Sequence, residues 1–115
     1  MQNIDANSIF ASALGIHEPW FVSKYEFHPE PGLGKVLHIW IDFEASARFN
    51  CPAEGCVETE LRVHGSSEHL WWHENFCDRG CYLHCRLPSV DCAQHGVHTV
   101  PAPWEGHVPG FRRIH

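Results

Sequence analysis

The sequence predicts a small domain of the α+β class, mainly antiparallel β, with a zinc-ribbon-like core, an N-terminal helix and a β-hairpin. Apolar residues recur at helical spacing in 5–15, and they alternate with polar residues in 20–28 and 35–43. Two short pairs of metal-ligand side chains, far apart in the chain, supply the third observation. The four candidate ligands are Cys51, Cys56, Cys92 and His95.

Composition limits the class of protein. The 115 residues suffice for one domain, and 43% hydrophobic residues with five Trp indicate a folded globule. Eight Lys and Arg against fourteen Asp and Glu give a net charge of −6, whereas a DNA-binding domain usually carries a basic patch. No apolar run approaches the roughly 18 residues that predict a membrane span, and the chain begins without the pattern of a secretory signal. We therefore expect a reducing cytoplasm, where such Cys spacing indicates a metal site more often than disulfides.

The predicted helix and hairpin come first in the chain. Asp5 or Asn7 can cap the start of the helix, and Gly15 can end it. The hairpin joins the strands 20–28 and 35–43 through a connection rich in Pro and Gly. We expect both elements to pack the domain. The helix residues expected on the core are Ile9, Phe10, Ala13 and Leu14. In the first strand, one side is expected to carry Phe21, Tyr25 and Phe27. In the second strand, one side is expected to carry Leu37, Ile39, Ile41 and Phe43.

A further strand is predicted over 81–87, ending at Pro88. Its alternation places Cys81, Leu83, Cys85 and Leu87 on one face and Tyr82, His84 and Arg86 on the other. A short strand is predicted over 97–100, and the following prolines indicate an extended exit.

The two ligand pairs indicate a structural zinc ion. Thiolate and imidazole are the donors that zinc takes in closed sites, and close spacing within each pair lets one turn aim both side chains at one ion. Four protein ligands leave no open position for a catalytic water, so we expect no enzymatic activity from this chain. Cys77, Cys81 and Cys85 could form a second metal site, although burial of Cys81 and Cys85 on the inward face of a strand is the simpler interpretation.

Four stretches in the second half of the chain carry a family resemblance. They are Trp71 to Phe76, Tyr82 to Pro88, Cys92 to Val97, and Val100 to Trp104. In this order they resemble the zinc-binding N-terminal domain of bacterial insertion-sequence transposases of the ISL-three family. The resemblance implies that the metal ligands are the four Cys and His residues named above.

The resemblance also implies a function in DNA transposition. Such transposases continue into a helix-turn-helix segment and a catalytic domain, so residues 105–115 are expected to be a linker toward a missing helix-turn-helix. Residues 1–48 are expected to pack a helix and hairpin on the core, and 49–104 to form the zinc-binding domain. The expected partner is DNA at the terminal inverted repeats, in the bacterial cytoplasm and nucleoid. The candidate DNA contacts are Tyr82, His84, Arg86, Arg112 and Arg113.

An acidic chain with exposed aromatic residues also allows a second function. The domain could be a zinc-stabilised protein-interaction module through which the transposase self-associates, without direct contact to DNA. A strong dependence of DNA affinity on salt would favour the first function, and dimerisation without DNA affinity would favour the second.

Overall fold

A computed structural model of the chain describes residues 5–115. The first four residues of the predicted segment 1–48 lie outside the described residues. Within the described part, one nine-residue helix accompanies a single sheet of seven strands. The elements are α1 (Ala6–Leu14), β1 (Trp20–Glu30), β2 (Gly34–Phe43), β3 (Arg48–Phe49), β4 (Leu61–Phe76), β5 (Arg79–Cys92), β6 (Gly96–Thr99) and β7 (Arg112–Arg113).

The predicted fold class, an α+β zinc-ribbon-like domain of mainly antiparallel strands, is wrong. The structure is a mostly β mixed sheet in the order β1-β2-β5-β4-β3, with β6 beside β5 and β7 beside β4. The strands β2 and β5 are parallel, with Leu37 opposite Cys81 and Ile41 opposite Cys85. Alternation along the chain indicates which segments are strands and which side is buried, but it does not indicate which distant strand becomes the neighbour.

The helix α1 has the caps that its sequence predicts. The Asp5 carboxylate accepts a hydrogen bond from the Ser8 amide at 2.8 Å, and Gly15 ends the helix in the left-handed region at φ 69°. Leu14 is fully buried, as predicted. Ile9 was expected on the core but is 55% exposed, because the side of the helix that packs on the sheet carries Phe10, Ala11 and Leu14.

The strands β1 and β2 pair antiparallel, and a bulge changes which side chains of β1 face the core. The register shifts between Val22 and Lys24, so Val22 is buried and Phe21 lies on the opposite side of the sheet from Tyr25 and Phe27. The prediction that Phe21 shares a side with those two aromatic residues is therefore wrong. One extra residue in a strand shifts the alternation, so the side chains that precede the bulge lie on the opposite face of the sheet from the one that the pattern predicts.

The long hairpin of β4 and β5 contributes most of the sheet. Its two-residue turn is Cys77 and Asp78, at φ 56° and 65°, which is the backbone of a type I′ turn. The strand β5 continues past its predicted end at Pro88, which is buried. The Pro88 carbonyl accepts a hydrogen bond from the Val100 amide at 2.8 Å, so the chain after β6 supports the strand at this point.

The sheet has two different faces. The inner face carries the main apolar core, on which α1 and residues 101–111 pack, and its two largest rings, Trp71 and Trp104, meet edge to face at 4.8 Å. The outer face carries half-buried aromatic and polar side chains: His38 and Trp40 of β2, Trp72 of β4, and Tyr82, His84 and Arg86 of β5.

The segments predicted as separate parts all contribute to this sheet. The strand β2 comes from 1–48 and lies next to β5 from 49–104. The strand β7 comes from 105–115 and pairs with β4.

Candidate metal centre

Two turns at one end of the sheet bring the four predicted ligands together. The first is the loop 50–60 between β3 and β4, which starts and ends at the paired residues Phe49 and Leu61. The second is the tight turn between β5 and β6, which Cys92 and Gly96 close. Each hairpin therefore contributes one ligand pair from its end.

The donor atoms of these residues form one compact group. The three Sγ atoms and one ring nitrogen of His95 all lie within 4.8 Å of one another. The Sγ atoms of Cys56 and Cys92 are 3.7 Å apart, and Cys92 Sγ lies 3.6 Å from His95 Nδ1. A disulfide would require a separation of about 2.05 Å, so these are free thiols. The group could hold a metal ion.

Backbone hydrogen bonds fix the first turn. The Cys56 amide donates to the Ala53 carbonyl and the Cys51 amide donates to the Glu58 carbonyl, each at 3.0 Å. Gly55 between them has φ 79°, in the left-handed region that glycine adopts without strain. A side chain at this position would be strained, and the turn would no longer aim both thiols at one point.

The second turn is fixed in a similar way. Gly96 has φ 77°, and His98 Nε2 lies 2.9 Å from the carbonyl oxygen of His95. This contact orients the backbone that carries the His95 ring. The ring itself is exposed, whereas Cys92 is buried at the end of β5.

The four ligands differ in their exposure and protonation. Cys51 and Cys92 are buried, and Cys56 is half-buried. The hydrogen bond from His95, followed by one with the backbone of Gln94, lowers the pKa of Cys92 to about 6. The pKa of Cys56 is raised: a hydrogen bond with the Glu58 backbone acts against this shift, but burial and the adjacent thiols outweigh it. Cys92 is therefore the first of this pair to become a thiolate, which is the form in which cysteine ligates metals.

The remaining cysteines have a different environment. Cys81 and Cys85 are buried on the inner face, where burial raises the pKa of Cys81 to about 12 and also raises that of Cys85. Cys77 is exposed in the β4–β5 turn. Among residues 5–115 the four-ligand group is the one cluster that could hold a metal, so these three thiols form no second site there.

Three of the predicted DNA-contact residues lie together on the outer face, as the alternation of β5 predicts. The Tyr82 ring lies 4.6 Å from the Trp72 ring and 5.0 Å from the His38 ring. His84 Nε2 is 2.9 Å from His38 Nδ1, and its ring stacks on Trp40 at 4.4 Å and an interplanar angle of 11°. The outer face is therefore an aromatic surface in which Tyr82 stacks on His38, His84 stacks on Trp40, and the Trp72 ring is tilted against Tyr82.

The polar groups of this surface carry little free positive charge. Burial, then the neighbouring His38, lowers the pKa of His84 to about 4, and burial, then His28, lowers that of His38. Both rings are therefore neutral at pH 7. The Arg86 guanidinium donates from Nε and Nη2 to one carboxylate oxygen of Asp42, at 3.1 and 3.0 Å.

Arg112 and Arg113 lie on β7, beside β4 and away from the metal ligands. Arg112 is opposite Trp72, at the border of the outer face. Arg113 Nη2 contacts His69 Nδ1 at 2.6 Å. His38 was missing from the candidates taken from the sequence, because its position on the polar side of β2 gave no sign that β2 adjoins β5.

Comparison of the chain with family models, curated proteins and solved structures gave no match. The resemblance to transposases therefore stays a prediction from the residues of this chain. The described residues contain no helix with the length and apolar character needed to cross a membrane.

Proposed function

We propose that Cys51, Cys56, Cys92 and His95 bind one structural zinc ion. Two thiolates about 2.3 Å from a zinc ion at tetrahedral angles lie about 3.8 Å apart, and a thiolate and an imidazole nitrogen lie about 3.6 Å apart. The separations of 3.7 Å between the Cys56 and Cys92 sulfurs and 3.6 Å between Cys92 Sγ and His95 Nδ1 fit these edges. This agreement is the observation that carries the proposal.

A structural role follows from the number of donors. Four protein ligands complete the tetrahedral shell, so no position is left for a water or a substrate. Three thiolates and one imidazole also favour zinc over magnesium or calcium, which bind oxygen ligands. We accordingly assign no catalytic step to this chain.

On the scale of the whole protein, we propose that the chain is the zinc-binding N-terminal domain of a transposase and contributes to DNA binding at the terminal inverted repeats. The motifs from Trp71 to Trp104 support this assignment through their resemblance to the ISL-three family. The ion would hold two hairpins, one of which contains β5, and so keep the surface of Tyr82, His84 and Arg86 rigid.

The electrostatics of the outer face refine this proposal. Because Arg86 is paired with Asp42 and His84 is neutral, contacts from this face to a duplex would be apolar contacts and neutral hydrogen bonds more than phosphate neutralisation. The contribution of this face to DNA affinity should consequently depend only weakly on salt.

The test is a fluorescence-anisotropy titration of the zinc-loaded chain with a duplex of the element's terminal repeat and a scrambled duplex. We expect tighter binding to the true end and loss of binding on chelation. Replacing Tyr82→Ala should weaken binding by about tenfold, the usual order for the loss of one base-edge contact. Arg62→Ala, an exposed change on β4 near β3, is the control and should have little effect. Absence of binding to both duplexes would reject the DNA function for this domain, whatever the metal content.

A further inference from the structure

One edge of the sheet is open. The strand β1 has eleven residues, and among the described strands β2 is its single neighbour. The opposite edge differs, because β3 and β7 cover β4 near its two ends. A long open edge presents unpaired backbone amides and carbonyls that can pair with another strand.

Apolar side chains concentrate beside this open edge. Tyr25 and Phe27 are 39% and 43% exposed on the side that carries the core, and the Phe10 ring of α1 contacts Tyr25 at 5.2 Å. Five of the eight exposed large hydrophobic residues of the described chain lie in the first 33 residues. They are Ile9, Phe21, Tyr25, Phe27 and Leu33. Tyr25 and Phe27, which share one side of β1, therefore form an exposed apolar patch of the kind that is typical of a protein contact.

The other side of β1 carries a lysine and a glutamate. They are placed so that opposite charges face each other when two copies of the strand pair about a two-fold axis. Lys24, which is exposed, and Glu26, which is half-buried, flank Tyr25, and within one chain their side chains lie 3.3 Å apart. When two identical strands pair antiparallel about a two-fold axis at residue 25, residue 24 of one faces residue 26 of the other. Each Lys24 then faces Glu26 of the other copy, so the interface contains two Lys–Glu pairs.

We propose that β1 pairs antiparallel with β1 of a second copy of this chain, with the two-fold axis at Tyr25. Side chains directly opposite in antiparallel strands have Cβ atoms about 5 Å apart, within reach of an ion pair from Lys24 to Glu26 of the second copy. The two Tyr25 rings meet on the other side, next to Phe10 of each copy. The sheet becomes continuous across both molecules.

Neighbouring features restrict the register. An axis at Glu26 would place the two Glu26 carboxylates opposite each other, which is repulsive. An axis at Phe27 would place Pro29, which has no amide hydrogen, opposite Tyr25. The bulge at Ser23 interrupts regular pairing on the other side. The contact is therefore short and centred on Tyr25.

Charge reversal tests the interface and its register together. In sedimentation velocity on the metal-loaded 115-residue chain, we expect a dimer whose fraction grows with protein concentration. Lys24→Glu and Glu26→Lys should each weaken dimerisation by about tenfold or more, because like charges then face each other twice. The double variant restores opposite charges, and its dissociation constant should return to within about threefold of the original.

Matched reversals elsewhere serve as controls. Arg62→Glu and Glu105→Lys change the net charge by the same amounts away from β1, and they should leave dimerisation unchanged. Circular dichroism and melting curves confirm that each variant is folded. A chain that stays monomeric at high micromolar concentration overturns the proposal, as does a dimer that tolerates both single reversals or a double variant no better than the singles. None of these readouts involves DNA, so the outcome is independent of the function proposed above.

Discussion

The same strand carries cysteines of two opposite kinds. At the end of β5, Cys92 meets Cys56 and His95, and its pKa is lowered to about 6. Along the inner face of β5, Cys81 and Cys85 are surrounded by apolar side chains, and burial raises the pKa of both thiols. The residue type alone therefore does not make a ligand. A cysteine in a turn that brings several donor atoms together can act as a metal ligand. A cysteine on a strand face packed in the core behaves as an unreactive apolar side chain.

The regions around these cysteines also differ in how much apolar surface they bury. The main core contains fourteen buried residues, whereas the cluster beside the metal centre contains four, namely Phe43, Phe49, Val90 and Val100. So few buried side chains contribute little to stability. We infer that the metal end depends on its ion, and that the rest of the sheet depends on packing.

The largest expected effect comes from removing a ligand. Cys92→Ser should abolish stoichiometric zinc binding and lower the free energy of unfolding by more than about 3 kcal/mol, because metal binding and folding are coupled in small sites. Elemental analysis of the purified chain and urea unfolding followed by circular dichroism measure the two quantities.

Cys77→Ser is the matched control for that change. Cys77 is exposed in a turn outside the cluster, so the variant should retain one zinc ion per chain. If Cys92→Ser kept both its zinc and its stability, the centre would not be a structural zinc site.

A smaller effect is expected from the other kind of cysteine. Cys85→Ala removes one buried atom from the main core, and it should lower the unfolding free energy by about 1 kcal/mol while zinc content stays unchanged. Loss of zinc in this variant would contradict the separation of the two regions. The same urea and elemental measurements apply.

The smallest effect concerns protons on the outer face. His84 has a pKa of about 4 in the folded chain, below its ordinary value of 6.5, so the unfolded chain binds more protons between these values. The contribution of His84 to the free energy of unfolding is thus complete above pH 6.5, and it declines as the pH falls toward 4. Because solvent partly screens the His84 ring, we expect the free energy of unfolding to fall by about 1 kcal/mol or less over this pH interval.

His84→Gln measures this contribution by comparison. The variant and the original chain share the four candidate ligands, so acid release of a bound metal would affect both equally. The difference between their urea midpoints should narrow as the pH falls through the interval between 6.5 and 4. A difference that does not change with pH would show that protonation of His84 does not contribute to stability.

Local features of this fold could be predicted from the sequence. The cap at Asp5, the left-handed Gly15 and the alternation of β5 depend on neighbours within a few residues. The grouping of the candidate metal ligands was also predictable, because the spacing within each pair is typical of a turn, and structural zinc sites commonly combine two such pairs.

Long-range features could not be predicted in this way. The parallel contact of β2 with β5 joins strands that lie far apart in the sequence, and no local sequence feature of either strand indicates its pairing partner. The bulge at Ser23 depends on how β1 fits Trp40 and Ile41 across the hairpin. The extension of β5 beyond Pro88 depends on β6 and on the chain that follows it.

The parallel contact of β2 and β5 also bears on how the chain folds. Leu37 must find Cys81, 44 residues away, and such distant contacts slow folding because the intervening loop must close first. An ion that already joined Cys51 to Cys92 would shorten this path to 25 residues, since 14 residues separate Leu37 from Cys51 and 11 separate Cys81 from Cys92. The shorter loop would reduce the entropic barrier by about 0.5 kcal/mol, so metal bound early would also accelerate assembly of the sheet.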